Sequence, residues 1–253
     1  MLEKEILIKE AENAIKWIYN YVEKTGAKGV VVGNSGGKDS ATVIAMATKA
    51  LGKDRVYTIA MPCNSIKTDL EDARLVAETF DVPFLEVNLS STYNELENTI
   101  NSSLINIELN KDSKINIKPR LRMTTLYAIA QTLGYLVIGT GNLCESMVGY
   151  TTKWGDSASD FNPIANFTVD EVLAIGEYLG VPDKIIHKAP NDGLGGQTDE
   201  EKMGVTYKQI AEYIETGKTE KNAMENIERR NKASKHKREP VPVYKFERKK
   251  FLE

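Results

Sequence analysis

The stretch VVGNSGGKDSATVIAMATKA, residues 31–50, decides the fold. A β-branched apolar run leads into a glycine turn at Gly36 and Gly37, and residues 40–51 are apolar almost all round. The run predicts a buried strand and the later segment predicts a buried helix. A strand, a glycine turn and a helix in this order direct backbone N–H groups and the positive end of the helix at one point. The stretch therefore predicts an anion site, usually one for phosphate.

Strands and helices alternate through the first two thirds of the chain. The predicted strands are 28–35, 55–62, 83–89 and 135–142, and the predicted helices are 3–24, 40–51, 67–80 and about 117–133. This alternation predicts a parallel sheet with helices on both faces, and ligands bind such sheets beyond the carboxyl ends of the strands. Two glycine loops, 33–37 and 139–141, lie at such ends.

From about residue 165 the strand signals disappear. The segments 168–180, 204–217 and 218–234 have helical patterns, and no linker composition separates them from the preceding part. We therefore predict a single domain over 1–253. It has an α/β core at about 25–165 and a helical C-terminal part at about 166–253.

The composition is that of an ordinary globular protein. Hydrophobic residues make up 41%, charged residues 27%, and the formal net charge is −3, which argues against a nucleic-acid-binding surface. One basic cluster, RRNKASKHKR at 229–238, is too short to change that view. Two cysteines and two histidines make a disulfide framework or a zinc site improbable. The N-terminal segment is charged and amphipathic, which favours a cytoplasmic protein without a signal peptide.

Two familiar nucleotide loops do not fit the glycine turn. The P-loop requires a glycine where Val32 stands and Ser or Thr where Asp39 stands, and the dinucleotide pattern lacks its third glycine. What remains is Ser-Gly-Gly-Lys-Asp-Ser at 35–40. The glycines let backbone approach phosphate, the serines offer hydroxyls, and Asp39 would repel a bare phosphate unless Mg²⁺ lay between them.

This SGGKDS loop resembles the pyrophosphate loop of the N-type ATP pyrophosphatases, which cleave ATP between the α- and β-phosphates. The resemblance implies a Rossmann-like, three-layer fold of the adenine nucleotide alpha hydrolase type. The loop is shared by GMP synthetases, asparagine synthetases, tRNA-modifying enzymes and NAD synthetases. A tRNA thiolase, a lysidine ligase and a non-catalytic ATP-binding module are the alternatives that the loop leaves open.

Later segments resemble the NAD synthetases in order and spacing. They are NIKPRLRM at 116–123, GTGNLCESMVGYTTKWGDSASDFNPI at 139–164, GGQTDEEKMGVTY at 195–207 and SKHKREPVP at 234–242. The resemblance covers nearly the whole chain. It implies a ligase that amidates deamido-NAD with ammonia at the expense of ATP. The implied reaction proceeds through an adenylylated nicotinate carboxylate and releases AMP and pyrophosphate.

The same resemblance implies two sets of site residues. The ATP set comprises the loop and positions in later segments, and the metal set consists of two carboxylates that would bind Mg²⁺. The ATP positions are Gly33, Asn34, Ser35, Gly36, Gly37, Lys38, Asp39, Ser40, Thr140, Val169 and Asn191. The metal ligands are Asp39 and Glu145.

The resemblance also implies a site for deamido-NAD, whose diphosphate and carboxylate call for cations. The matching residues are Arg120, Lys153, Asp160, His236 and Lys237. Taken singly, Arg120 could equally be a solvated helix charge, and the His236–Lys237 pair a basic tail. No general base for ammonia is evident in the sequence.

This chain departs from the family pattern near the phosphates. Bacterial relatives carry a lysine after the threonine that follows Asn-Pro-Ile, whereas this chain has Val169 after Thr168. A second position, usually Ser or Thr, is Asn191. The variable loop position is Lys38, and we expect its mobile ammonium to supply the missing charge. The alternative is that Lys38 points to solvent.

Two further expectations concern assembly and the nitrogen donor. Glutamine-dependent relatives add an N-terminal glutaminase domain, whereas here a single helix precedes the loop strand, so we expect free ammonia as the donor. The family pairs as homodimers, and Trp17 lies off the apolar stripe of the first helix, where it could serve a partner surface.

Overall fold

The computed structural model describes residues 3–65, 67–188 and 198–246. Four strands are present there: β1 Val30–Gly33, β2 Val56–Ala60, β3 Phe84–Glu86 and β4 Leu136–Ile138. The first helices are α1 Lys4–Thr25, α2 Lys38–Leu51, α3 Lys67–Thr79, α4 Ser90–Ser103 and α5 Lys111–Leu133. The later ones are α6 Leu143–Val148, α7 Val169–Tyr178, α8 Asp183–Ile186, α9 Asp199–Met203, α10 Tyr207–Thr216 and α11 Lys221–Ala233.

The four strands form one parallel sheet in the order β3-β2-β1-β4. Val30 pairs with Val56 of β2 on one side and with Leu136 of β4 on the other. The chain therefore runs outward from β1 to β3 and then returns to the opposite side of β1. Open α/β sheets bind their ligands at such a reversal of strand order, in a crevice beyond the carboxyl ends of the strands.

Alternation along β1 divides the core into two layers. Val30 and Val32 pack in the cluster formed with α1 and α2, while Val31 packs with Ile59 and Val137 in the cluster under α4 and α5. Because successive side chains of a strand face opposite sides, a fully buried apolar strand requires helices on both faces. The predicted three-layer α/β architecture is thus confirmed.

The described C-terminal helices build a third apolar cluster on the flank of the core. Cys144, Val169, Met203 and Ile227 are buried in this cluster with residues of α10. From residue 166 onward, the described residues contain helices and no strand, as predicted. Within the described residues, no helix is long and apolar enough to cross a membrane.

The structure corrects the sequence prediction around the third strand. Helix α4, Ser90–Ser103, was not predicted, and α5 begins at Lys111 rather than near residue 117. β3 is also shorter than the predicted 83–89. Thr198 is the N-cap of α9, since its hydroxyl accepts a hydrogen bond from the backbone N–H of Glu201.

Candidate active site

The glycine turn is fastened to helix α3 by Asn34, whose side chain is 3% exposed. Its Nδ2 donates to the carbonyl of Ala73 at 2.8 Å, and its Oδ1 accepts from the N–H of Gly36 at 3.1 Å. Gly36 has φ +70°, and a Cβ there would stand 2.6 Å from the carbonyl oxygen of Asp69. Only glycine fits this position, because the turn is left-handed and pressed against the backbone of α3.

The remaining loop residues present polar groups at the start of α2. The Oγ atoms of Ser35 and Ser40 lie 3.1 Å apart, and Ser40 donates to the carbonyl of Gly37 at 2.9 Å. The N–H of Gly37 donates to Ser35 at 3.3 Å. Since the first N–H groups of α2 point into this loop, the turn is arranged to receive an anion.

A second loop, after β4, reaches the first one through Asn142. This residue caps α6: its Oδ1 accepts from the N–H of Glu145 at 3.0 Å, and Oε2 of Glu145 accepts from the N–H of Asn142 at 2.9 Å. The same amide donates from Nδ2 to Oδ1 of Asp39 at 3.2 Å. Asn142 is 1% exposed, so one buried residue holds both carboxylates: its backbone N–H binds Glu145 and its side-chain amide binds Asp39. Thr140 lies in this loop between Gly139 and Gly141.

The two carboxylates influence each other electrostatically. Burial and the nearby charge of Asp39 raise the pKa of Glu145 well above the usual range of a carboxyl. Lys38 opposes this effect, because its ammonium donates to Oδ2 of Asp39 at 2.8 Å and also favours the ionised form of Glu145. A divalent cation bound between the two carboxylates would favour the ionised form of Glu145 in the same way as Lys38 does.

The carboxylates of Asp39 and Glu145 are suitable ligands for Mg²⁺. Asp39 and Glu145 supply hard oxygen ligands from two loops that meet at the carboxyl edge of the sheet. Across residues 3–65, 67–188 and 198–246, no group of three or more His, Cys, Asp or Glu side chains is arranged around a common metal position. Mg²⁺ commonly completes its shell with phosphate oxygens and water, so two carboxylates suit a metal that arrives with a nucleotide.

Four of the predicted substrate residues come together where α5, the loop after α6 and the C-terminal segment meet. Arg120 donates to the carbonyl of Lys153 from Nε and Nη2 at 3.4 and 3.3 Å. The Lys153 ammonium donates to the carbonyl of His236 at 2.7 Å. Lys237 donates to the carbonyls of Gly149 and Thr151, which ties the C-terminal segment to the loop after α6. The predicted cations thus form a connected basic group.

Asp160 stands apart from this group. Its Oδ2 accepts from the N–H of Val137 at 2.7 Å and its Oδ1 accepts from the hydroxyl of Tyr127 at 3.3 Å. The carboxylate therefore closes the free edge of β4. A contact between Asp160 and a substrate stays a prediction, as do the other residue roles.

Three positions depart from the family pattern, and the structure describes two of them, Lys38 and Val169. Lys38 does not point to solvent, since its side chain is 11% exposed and engages Asp39. Val169 is the first residue of α7 and is 5% exposed within the C-terminal cluster, so its side chain has a packing role. A contact between Val169 and ATP stays a prediction. Asn191 lies outside the described residues.

Sequence reasoning missed several residues of the site. Asn142 could have been found, because Asn followed three residues later by Glu145 is the signature of a capping box. Tyr207 lies with its ring 5.7 Å from the Lys38 ammonium, and its hydroxyl is 3.5 Å from Asp199. No local pattern signals that contact, since Tyr207 reaches the loop only through tertiary packing.

The fold and the site together define a nucleotide-binding α/β protein whose phosphate loop adjoins two oriented carboxylates. The sequence profile of the NAD synthase family matches residues 10–242, and the chain belongs to that family. The NH(3)-dependent NAD(+) synthetase of Carboxydothermus hydrogenoformans is 43% identical over 231 residues, which are 91% of this chain and 94% of that relative.

Two solved structures of synthetases superpose on nearly the whole chain. NMN synthetase from Francisella tularensis superposes with a TM-score of 0.90 at 32% identity, over 97% of this chain and 100% of the other. The NH3-dependent NAD synthetase from Campylobacter jejuni has a TM-score of 0.78 at 26% identity, over 94% and 99% of the two chains. The alternatives, a tRNA-modifying enzyme or a non-catalytic ATP-binding module, are not favoured by these relatives.

Proposed function

We propose that this chain is a ligase that amidates the nicotinate carboxylate of deamido-NAD with ammonia, using ATP and releasing AMP and pyrophosphate. Membership of the NAD synthase family supports this activity. One structural observation supports it most directly: beside the phosphate loop, the buried residue Asn142 holds Glu145 through its backbone N–H and Asp39 through its side-chain amide. This is the place where a parallel sheet binds its ligand.

The chemistry requires activation of the carboxylate, because oxide is too poor a leaving group for ammonia to displace. Transfer of AMP to the carboxylate gives a mixed anhydride, which ammonia attacks with loss of AMP. The first N–H groups of α2 and the positive end of that helix would stabilise negative charge on the pyrophosphate. The crevice must hold the reactants in position and exclude water, which would hydrolyse the anhydride.

We also propose that Asp39 and Glu145 hold Mg²⁺ that arrives with ATP. Asn142 keeps the carboxylates in place before the ion arrives. When bound, Mg²⁺ supplies charge neutralisation at the phosphates. The position of these two carboxylate side chains beside the phosphate loop supports the assignment.

On the substrate side, Arg120, Lys153 and the His236–Lys237 pair form the proposed binding surface for the substrate diphosphate and carboxylate. Their mutual hydrogen bonds preorganise the group, so less side-chain freedom is lost on binding. Mutation of Arg120 to Ala should therefore raise the KM for the nucleotide substrate more than the KM for ATP.

A second substrate is supported by a specific observation. The neighbour with a TM-score of 0.90 is an NMN synthetase, whose product is the mononucleotide rather than the dinucleotide. The same chemistry on nicotinate mononucleotide would need no site for the adenylyl half of deamido-NAD. A comparison of kcat/KM for the two substrates decides between them. A higher value for the mononucleotide would reassign the substrate and leave the reaction type unchanged.

The proposed assembly is a homodimer, and the proposed location is the cytoplasm. Helices α4 and α5 expose much of their surface, and only Tyr93 and Ala130 are buried within them. The Trp17 side chain is 43% exposed, although its ring also packs 5.7 Å from Phe161. Such faces suit a partner copy, and symmetric pairing is the common form of association.

The experiment that tests the activity measures pyrophosphate, AMP and NAD formation by the purified chain with ATP, Mg²⁺ and ammonium. We expect all three products in equal amounts when deamido-NAD is present and little pyrophosphate when it is absent. Pyrophosphate release that is independent of any nicotinate nucleotide would contradict the proposal.

A further inference from the structure

Lys38 occupies an unusual position for a lysine. It is the first residue of α2, where the N-cap is Gly37, and positive charge is disfavoured at the N-terminus of a helix. Its side chain is also 11% exposed, so the ammonium has lost most of its contact with water. A buried cation at a positive helix end requires compensating negative charge nearby.

Three carboxylates provide that compensation. The ammonium donates to Oδ2 of Asp39 at 2.8 Å, and the charges of Asp39, Glu145 and Asp199 together raise the pKa of Lys38 in spite of its burial. The ring of Tyr207 lies 5.7 Å from the same ammonium and adds a favourable cation–π contact. Lys38 is therefore a charged ammonium that these three carboxylates stabilise.

Both oxygens of Asp39 have a donor in this arrangement. Oδ1 accepts from the amide of Asn142 and Oδ2 accepts from Lys38. The two donors differ in mobility and charge. Asn142 is fixed by its capping contacts with Glu145, whereas Lys38 ends a flexible four-carbon stem. A divalent cation that binds Asp39 would repel the ammonium but not the neutral amide.

We propose that Lys38 is an internal counter-ion for the carboxylate pair: its single charge reduces the repulsion between Asp39 and Glu145 before metal and nucleotide bind, and a divalent cation displaces it from Asp39. The inference rests on the metal role proposed above. The displaced ammonium becomes available to the triphosphate, which is the role that the sequence predicts for it.

The first test needs neither metal nor nucleotide. Unfolding by urea in EDTA is measured for Lys38→Met, Glu145→Gln and the double variant. If Lys38 compensates the carboxylates, Glu145→Gln should stabilise the Lys38→Met protein relative to its effect on the wild type. We expect a coupling of about tenfold in the unfolding equilibrium constant, equal to about 1.4 kcal/mol.

A matched control lies on the same helix. Lys49 also forms an ion pair, with Glu12 of α1, but its side chain is 43% exposed. It lies near the opposite end of α2 from Asp39, where α1 packs on α2. Lys49→Met should show no coupling to Glu145→Gln. Absence of coupling between Lys38 and Glu145 would overturn the counter-ion role, whatever reaction the enzyme catalyses.

The second test measures Mn²⁺ binding without nucleotide, from the paramagnetic resonance signal of the free ion. Lys38→Met should bind Mn²⁺ about tenfold more tightly than the wild type because the competing cation is gone. Lys38→Arg keeps the charge and should bind Mn²⁺ about as weakly as the wild type, and Lys49→Met should match the wild type. If Lys38→Met binds Mn²⁺ no more tightly than the wild type does, then a divalent cation does not displace Lys38 from Asp39.

Discussion

Replacement of Gly36 by alanine should damage the phosphate loop far more than replacement of its neighbour Gly37. Gly36 has φ +70°, and the left-handed conformation costs a residue with a Cβ about 1–2 kcal/mol. The new Cβ would also stand 2.6 Å from the carbonyl oxygen of Asp69 and 2.8 Å from the backbone nitrogen of Ala73.

The neighbouring atoms cannot rotate aside, because both belong to the backbone of α3. Forced overpacking of this kind costs about 1–3 kcal/mol, so the total loss should be about 2–5 kcal/mol. This is a large fraction of the 5–15 kcal/mol that is ordinary for a domain. The loop would be displaced from α3, and the N–H groups of α2 would no longer converge on one point.

Gly37 provides the matched control. Its φ of −99° and ψ of 162° suit any residue, and a Cβ there would meet only Ser35 Oγ, at 3.3 Å. Gly37→Ala should therefore change the free energy of unfolding by no more than about 0.5 kcal/mol. ATP affinity should nevertheless fall, since the methyl group occupies space on the open side of the loop.

The assay is urea unfolding of the two variants and the wild type, with ATP affinity measured on the same samples. The m-values should agree among the three proteins, so that the midpoint reports stability alone. A Gly36→Ala protein within about 0.5 kcal/mol of the wild type would refute the reasoning from backbone contact. Equal destabilisation by both substitutions would refute the distinction between the two glycines.

Four further outcomes are expected. Asp39→Asn and Glu145→Gln should each lower kcat/KM by at least about a hundredfold without altering the circular dichroism spectrum, and full activity in either variant would remove that residue from the metal site. Ammonium should support NAD formation by this purified chain, while equal rates with glutamine would contradict a direct ammonia donor. Sedimentation at micromolar concentration should give a dimer, and a monomer would count against the proposed assembly. Lys237→Met removes donors to the carbonyls of Gly149 and Thr151 and should raise the KM for deamido-NAD severalfold, which steady-state kinetics will test.

The α/β core was predictable because its signals are local. Apolar runs, glycine turns and helical periodicity mark the first strand and its helix without reference to the rest of the chain. Helix α4 gave a weaker signal, since Tyr93, Leu96 and Ile100 share one helical face but the rest of SSTYNELENTINSS is mostly polar and only Tyr93 is buried. The early start of α5 was missed for another reason. Proline is tolerated in the first turn of a helix, so Pro119 suits a start near residue 117, yet α5 begins after the cap Asn110 and holds the proline in its interior.

The site was predictable in part for similar reasons. Loop residues at strand ends meet once the sheet is parallel, so the approach of Asp39 to the loop of Glu145 follows from topology. The orientation of Lys38 did not follow, because it depends on Asp199 and Tyr207, which only the packing of the C-terminal helices brings to the loop.

The C-terminal helices therefore complete the phosphate side of the site, although they add no strand to the sheet. Tyr207 belongs to the same apolar cluster as Val169, and its ring also lies near the ammonium of Lys38. A lysine at position 169 would enter that cluster, where an ammonium without a partner is costly. A single replacement of Val169 by lysine thus cannot simply restore a phosphate cation in this protein. Lys38 instead places its ammonium 5.7 Å from the ring of Tyr207, beside this cluster and in contact with Asp39.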